Sequence, residues 1–155
     1  MHTNLKILIA YFLSALLAAV IPSAVFAGEP SVNFLIDVME ASDQPGSIDP
    51  GLAYIREQIQ RSPFRYQRYR TLASTSRTIP VGKRDVIGFV VPEEFTLEIT
   101  PASAGDRTIR ISLRIWQKRK VILDTNLDLT RGGTVVIGGP ATSHSAIMFA
   151  ISEGL

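Results

Sequence analysis

The histidine best placed for chemistry in this 155-residue chain is His144, which stands between Ser143 and Ser145. A Ser–His hydrolase needs a serine hydroxyl that bonds the histidine and an acid that orients the ring from behind. Immediate sequence neighbours do not supply that geometry, and no strand–turn–helix nucleophile elbow occurs in the sequence. We interpret His144 as a solvated loop histidine and predict no catalytic residue.

Paired carboxylates occur at Glu93–Glu94 and at Asp124 with Asp128. A glycosidase needs two carboxyl groups that face each other across a cleft. Both aspartates are explained by cross-strand arginines in the hairpin described below, and Glu93–Glu94 follows Pro92 as an exposed turn. We therefore expect a protein that is not an enzyme, with an unrecognised hydrolase as an alternative.

Neither a metal nor a cofactor is predicted. The chain has no cysteine and, after residue 27, a single histidine, which does not make the usual zinc ligand set. Asp43, Asp49 and Asp106 fall in separate turns without a calcium-loop motif. The glycines between residues 132 and 139 bracket a strand and do not open a helix, so they are turn glycines and not a phosphate loop.

The candidate binding residues come from a stretch in which arginines alternate with aromatic residues: Arg65, Tyr66, Arg68, Tyr69 and Arg70. Arginine and tyrosine are enriched at recognition surfaces, and arginine binds carboxylate or phosphate in two-pronged geometry. The alternative is a helix-to-strand junction with buried aromatics and solvated arginines. As a strand, the stretch would place Arg65 and Tyr69 on one face and the other three on the opposite face, so at least one set reaches solvent.

Residues 1–27 have the three parts of a secretory signal peptide. Lys6 precedes an uncharged apolar run over residues 7–21, and small residues lead to Ala27. This run is shorter than the ~20 residues that span a bilayer. We predict a signal peptide over 1–27, cleavage before Gly28, and no membrane span in the mature chain. The predicted location is the periplasm, with the cell surface or secretion as alternatives.

The mature part, residues 28–155, has the size of one domain. Of 16 Lys and Arg residues, 15 remain after Lys6 is removed, against 14 Asp and Glu. This balance argues against a nucleic-acid partner, which requires a concentrated basic face. Without cysteine, an exported domain must rely on its apolar core and not on disulfides.

The elements that position these residues are mostly strands. Period-2 alternation and turn signals predict strands over Ser31–Ala41, Tyr66–Pro80, Val86–Val91, Phe95–Thr100, Arg107–Ile115, Val121–Leu129, Thr134–Gly138 and Ala146–Ile151. One helix is predicted from Asp49–Pro50 to Ser62–Pro63, with Asp49 as the N-cap and a buried stripe of Leu52, Ile55 and Ile59. The fold class is mainly β: an antiparallel β-sandwich or small barrel of seven to eight strands with one short helix, as a single domain over 28–155.

A hairpin is the clearest pattern in the sequence. A three-residue loop at Lys118–Lys120 places Ile109, Ile111, Leu113 and Ile115 on one face with Val121, Leu123, Leu127 and Leu129. The same register sets Arg110 opposite Asp128 and Arg114 opposite Asp124 on the other face. Because the apolar and charge patterns agree independently, they select one pairing.

The segment Arg131–Gly139 resembles the closing strand motif of bacterial secretin domains, through its sequence Arg-Gly-Gly-Thr-Val-Val-Ile-Gly-Gly. From Pro140 onward the chain departs from that family. The overall layout resembles short exported all-β envelope proteins of Gram-negative bacteria. The resemblance implies fold and location and carries no catalytic residue.

The predicted function is a non-enzymatic binding or assembly module of the cell envelope. Its partner would be an envelope protein or an anionic envelope component. An accessory component of a secretin-type secretion or pilus machine is the alternative, and the oligomeric state is left open.

Overall fold

Eight antiparallel strands make up most of the protein in a computed structural model, which describes residues 28–154. The strands are β1 (Ser31–Ser42), β2 (Arg68–Pro80), β3 (Asp85–Val90), β4 (Glu94–Ala104), β5 (Thr108–Gln117), β6 (Lys120–Thr130), β7 (Thr134–Ala141) and β8 (Ser145–Glu153). They form two four-stranded sheets, β2-β1-β8-β7 and β3-β4-β5-β6. This confirms the mainly β sandwich fold and decides against a closed barrel. The predicted signal peptide lies outside the described residues.

The two sheets bury a common apolar core between them. Alternate residues of the central strand β1 point into it, including Phe34 and Ile36, and both are fully buried. Phe95 of β4 and Phe149 of β8 meet edge to face across the core, with ring centroids 5.6 Å apart. The period-2 pattern predicted these inward faces, since successive strand side chains point to opposite sides of a sheet.

A helical segment covers part of the outer face of the β2-β1-β8-β7 sheet. It consists of a 3-10 helix, Pro50–Ile55, followed directly by α1, Arg56–Arg61. Its buried residues are Leu52, Ile55 and Ile59, as predicted. They pack against a second cluster on this outer face, so the sheet is covered on both sides and β1 is apolar on both faces for that reason.

Asp49 is the N-cap residue of this helical segment, as predicted, but its side chain makes no capping hydrogen bond. The carboxylate oxygen Oδ2 instead accepts the backbone N–H of Thr71 at 2.8 Å, and the Asp49 carbonyl accepts from Leu52 at 2.9 Å. The side chain therefore ties the start of the helical segment to the edge strand β2. Pro50 does occupy the first turn, where its missing N–H costs nothing.

The register of the β5–β6 hairpin is confirmed. Arg110 lies opposite Asp128 and Arg114 opposite Asp124. The Arg110 Nε donates to Asp128 Oδ1 at 3.0 Å, and the Arg114 Nη2 donates to Asp124 Oδ2 at 2.7 Å. These pairs are exposed and screened by solvent, so they add little to stability and serve mainly to fix the pairing.

Val121 differs from its predicted position. The turn has two residues, Lys118–Arg119, and Lys118 has a φ of 55°. Next to this turn, the β5–β6 register shifts at a bulge between Ile115 and Trp116. The extra residue in β6 reverses the alternation, because a one-residue shift moves side chains to the other face. Val121 therefore lies opposite Trp116 on the solvent face and is 38 % exposed.

Several strands run further than predicted. β4 continues through a register shift after Pro101 and ends at Ala104, beyond the predicted strand end at Thr100. β7 and β8 together shorten the predicted loop 139–145 to residues 142–144. In residues 28–154, neither helical segment has the length and apolar character to cross a membrane.

Candidate functional site

The Arg–Tyr stretch, defined as residues 65–70, passes from a connector into the edge strand β2. The strand begins at Arg68 and not at the predicted Tyr66. Because residues 62–67 are not extended in a sheet, strict alternation does not govern them. Both tyrosines turn inward, with Tyr69 only 3 % exposed and Tyr66 partly buried, while all three arginines reach solvent.

The two tyrosines are held by the cluster beneath the helical segment. Their rings are 6.5 Å apart in an edge-to-face arrangement. The Tyr69 hydroxyl donates to the Phe64 carbonyl at 3.5 Å, and burial raises the pKa of Tyr69. Tyr69 therefore stays neutral at physiological pH and acts as an apolar wall with one polar atom.

The arginines differ in what already binds them. The Arg70 Nη2 pairs with Glu40 Oε2 across the strands at 2.8 Å. The Arg68 Nη1 lies 3.4 Å from Gln44 Oε1, and its aliphatic stem packs on Gly46, where a Cβ would lie 2.9 Å from Arg68 Cγ. Arg65 makes no ion pair or side-chain hydrogen bond within residues 28–154. Its guanidinium is thus the one in this stretch without a polar side-chain contact.

Beside Arg65 lies a surface groove of about 370 Å³. It is lined by the apolar and aromatic residues Ile48, Ile59, Phe64, Tyr66 and Tyr69 and by the polar residues Gln60, Ser62, Arg65 and Gln67. Ile59 and Tyr69 are each only 3 % exposed, so much of the surface that a ligand meets here is polar. The groove can receive an apolar group while Arg65 binds an attached anion.

The connector that shapes this groove is fixed by local contacts. The Ser62 hydroxyl donates to the Ile59 carbonyl at 2.7 Å and accepts the Phe64 N–H at 3.3 Å. The Phe64 ring lies over Gly138 of β7, where a Cβ would be 3.1 Å from the ring. The absence of a side chain at Gly138 therefore makes room for the Phe64 ring. The sequence, which indicated a turn glycine, did not predict this contact.

His144 lies in the turn between β7 and β8. Its side chain is 85 % exposed, and its Nδ1 is 3.9 Å from Asp43 Oδ2. The Thr142 and Ser145 hydroxyls, 3.1 Å apart, bond each other and not the imidazole. This arrangement lacks the serine–histidine hydrogen bond that nucleophilic catalysis uses.

Glu93 and Glu40 line a pocket of about 210 Å³ at one end of the sandwich. Glu40 is already paired with Arg70. Glu93 accepts from Gln117 Nε2 at 2.8 Å and lies 3.5 Å from Lys118 Nζ. These contacts, the Gln117 hydrogen bond first, lower the pKa of Glu93, which is the opposite of what a general acid requires.

A polar contact between the buried Asp37 and the partly exposed Tyr54 was missed from the sequence. Asp37 is 4 % exposed on the outer face of β1, and its carboxylate accepts a hydrogen bond from the Tyr54 hydroxyl. Burial, followed by the hydrogen bond and the charge of Asp37, strongly raises the pKa of Tyr54. The sequence does contain a signal for this contact, because Asp37 is a charged residue between Leu35 and Met39 on an otherwise apolar strand face.

Residues 131–139, which resemble the secretin motif, form a turn and most of the edge strand β7. The Gly132 N–H donates to Glu153 Oε2 at 2.7 Å, and Arg131 pairs with the same carboxylate. Gly132 has φ 67°, and a Cβ on Gly133 would lie 2.8 Å from the Thr130 carbonyl. Both glycines are therefore required by the turn itself.

The described residues define a class by fold: an antiparallel two-sheet β-sandwich with a helical segment on one outer face. Comparison with protein-family models, curated proteins and solved structures found no match. Within residues 28–154, no group of three or more His, Cys, Asp or Glu side chains is arranged to hold a metal ion.

Proposed function

We propose that this protein is an exported, non-enzymatic binding module of the cell envelope, and that the Arg–Tyr stretch with its adjacent groove takes an anionic envelope component. The observation that carries the proposal is Arg65, an unpaired guanidinium that lines a groove together with apolar and polar side chains. Export rests on the signal-peptide pattern of residues 1–27.

The chemistry of the groove favours a ligand with an acidic head and an apolar portion. A carboxylate or phosphate can accept two hydrogen bonds from one guanidinium. Arg68 lies a few residues further along the same stretch and has only a long contact to a neutral amide, so it can contribute a second cation. The exposed parts of the apolar side chains in the groove then contribute affinity in proportion to the surface that the ligand removes from water.

Replacing Arg65 and Arg68 by glutamine should abolish binding of anions at this groove. Inorganic phosphate, titrated into the mature chain and followed by NMR, should shift the backbone amides of residues 62–70 in the natural protein and leave them unshifted in the variant. Recovery of a partner from envelope extract should fall in parallel. Both effects should weaken as salt rises, because the screening length shortens from about 8 Å at physiological ionic strength to about 3 Å at 1 M.

A matched control removes the same charge from the other sheet. Arg107 and Arg119 lie in exposed turns of the β3-β4-β5-β6 sheet, so Arg107→Gln with Arg119→Gln should leave binding unchanged. If both double variants lose binding equally, the loss would be due to the change in net charge and not to the removal of this site. If the folded Arg65→Gln/Arg68→Gln variant binds as well as the natural protein, the proposal is wrong and the Arg–Tyr stretch is a solvated junction between helix and strand.

Export has its own test. Expressed with its leader in a Gram-negative host, the protein should be recovered from the periplasm with an intact mass that starts at Gly28. The reason is that the apolar run ends in Val25-Phe26-Ala27, the small-residue pattern that signal peptidase cleaves. Replacing Ala27 by Leu should block processing. A full-length chain in the membrane fraction of the natural sequence would contradict the proposal.

A further inference from the structure

Strand β3 is an edge strand that is apolar on both faces. Ile87 and Phe89 point into the core, while Val86 and Val90 point to solvent and are 52 % and 79 % exposed. Gly88 lies between them, with open space where a Cβ would stand. Natural edge strands are normally protected by charged residues, proline, bulges or covering segments. In β3 the one such residue is Asp85 at its start, which pairs with Arg77 and accepts the Val86 N–H at 2.9 Å, and residues 86–90 carry none of these devices.

The other three edges are protected. Residues 47–49 cover part of β2, where the Tyr69 N–H donates to the Ser47 carbonyl at 3.2 Å and its carbonyl accepts from Asp49 at 2.9 Å. β6 carries Asp124 and Asp128 on its solvent face. β7 ends in Gly-Gly-Pro with a register shift after Gly138. Among the edges in residues 28–154, β3 is therefore the one open to a further strand.

We propose that β3 pairs with β3 of a second copy of this chain, antiparallel about a two-fold axis near Gly88. Val86 of each copy then lies opposite Val90 of the other, on the same outer face of a continuous eight-stranded sheet. The pairing gives the edge backbone N–H and C=O groups of both strands a partner, the usual source of affinity in strand addition. The Val86 N–H exchanges its bond to the Asp85 carboxylate for one to the other copy. It also removes two highly exposed valines of each copy from water.

The charges around β3 favour a second copy over an unrelated strand. Arg84 precedes the strand and is 3.9 Å from Glu98, the limit of an ion pair. Glu94 lies opposite Val90 in β4, is exposed, and makes no ion pair within residues 28–154. The two ends of β3 are thus oppositely charged on one face, and antiparallel self-pairing brings Arg84 of each copy towards Glu94 of the other.

This surface belongs to the β3-β4-β5-β6 sheet, whereas the Arg–Tyr stretch belongs to the other sheet. The proposal that the chain forms a dimer therefore does not depend on the proposed binding function. A dimer would present two anion-binding grooves to the same partner and so increase its avidity.

The test is sedimentation of the mature chain over a range of concentrations. The natural chain should show a concentration-dependent dimer, and Val86→Lys with Val90→Lys should be monomeric with an unchanged circular dichroism spectrum. Val121→Lys, which places the same residue on an exposed position of β6, should still dimerise. A natural chain that stays monomeric at the highest concentration, or an equal loss of dimer in the Val121→Lys control, would overturn the proposal.

Charge reversal separates self-pairing from other modes of association and changes no β3 residue. Arg84→Glu alone and Glu94→Arg alone should each weaken dimerisation roughly tenfold, because two exposed pairs are reversed in every dimer. Combining the two substitutions should restore dimerisation, since each copy then presents the exchanged charges to the other. A combined variant that dimerises no better than either single variant would show that β3 does not pair with itself.

Discussion

Phe149→Ala should lower the free energy of unfolding by about 3–5 kcal/mol, as expected for a fully buried phenylalanine. Phe149 is fully buried between the sheets, and its ring packs edge to face on Phe95 at a centroid distance of 5.6 Å. Truncation removes the apolar contacts and leaves a cavity that the two sheets cannot fill without moving together. Small domains are stable by only about 5–15 kcal/mol, so much of the native stability would be lost.

Urea unfolding followed by the fluorescence of Trp116, the one tryptophan of the chain, gives the measurement. Val121→Ala is the control: it shortens an exposed side chain and should change the stability by no more than about 0.5 kcal/mol. The double variant Phe95→Ala/Phe149→Ala should lose less than the sum of the two single losses, because the two rings contact each other. A loss below about 1 kcal/mol for Phe149→Ala would contradict the tight packing of Phe149 in the core.

Tyr54→Phe should cost about 1.5–3 kcal/mol. The substitution removes only the hydroxyl that donates to Asp37 and leaves that carboxylate buried on the outer face of β1 without its donor. Tyr66→Phe is a matched control, since the Tyr66 hydroxyl has no hydrogen-bond partner in residues 28–154. Replacing both members, as in Asp37→Leu/Tyr54→Phe, should recover part of the loss, because no buried polar group is then left unpaired.

The same contact predicts a dependence on alkaline pH. The Tyr54 pKa is raised above its ordinary value of 10.0 by burial and by Asp37, so the hydroxyl keeps its proton in the folded protein after it has lost it in the unfolded chain. The unfolded state then binds fewer protons, and stability falls as pH rises above 10. Below pH 10 the contribution is fully present. Tyr54→Phe should therefore be less stable at pH 8 and lose stability less steeply above pH 10. Equal slopes in both proteins would contradict the role of this hydroxyl.

The candidate binding site shows how far sequence reasoning reaches. Interleaved arginine and tyrosine identified the stretch, because those residue types suit recognition wherever they are exposed. Which side chains are free depended on distant partners: Glu40 takes Arg70, Gln44 approaches Arg68, and Arg65 is left unpaired. The groove combines residues of the helical segment, the connector and β2, and no local pattern records that these segments meet.

The sequence alone determined the strands, the buried stripe of the helix and the register of the β5–β6 hairpin. These depend on periodicities of two and 3.6 residues and on neighbouring charges, which are local. The tertiary structure decided the position of Val121, the partner of Asp49 and the burial of Asp37. It also decided that β3 is left at an edge. A bulge, a long-range hydrogen bond and the order of strands in a sheet depend on contacts between residues far apart in the chain, and those contacts are set only when the whole chain packs.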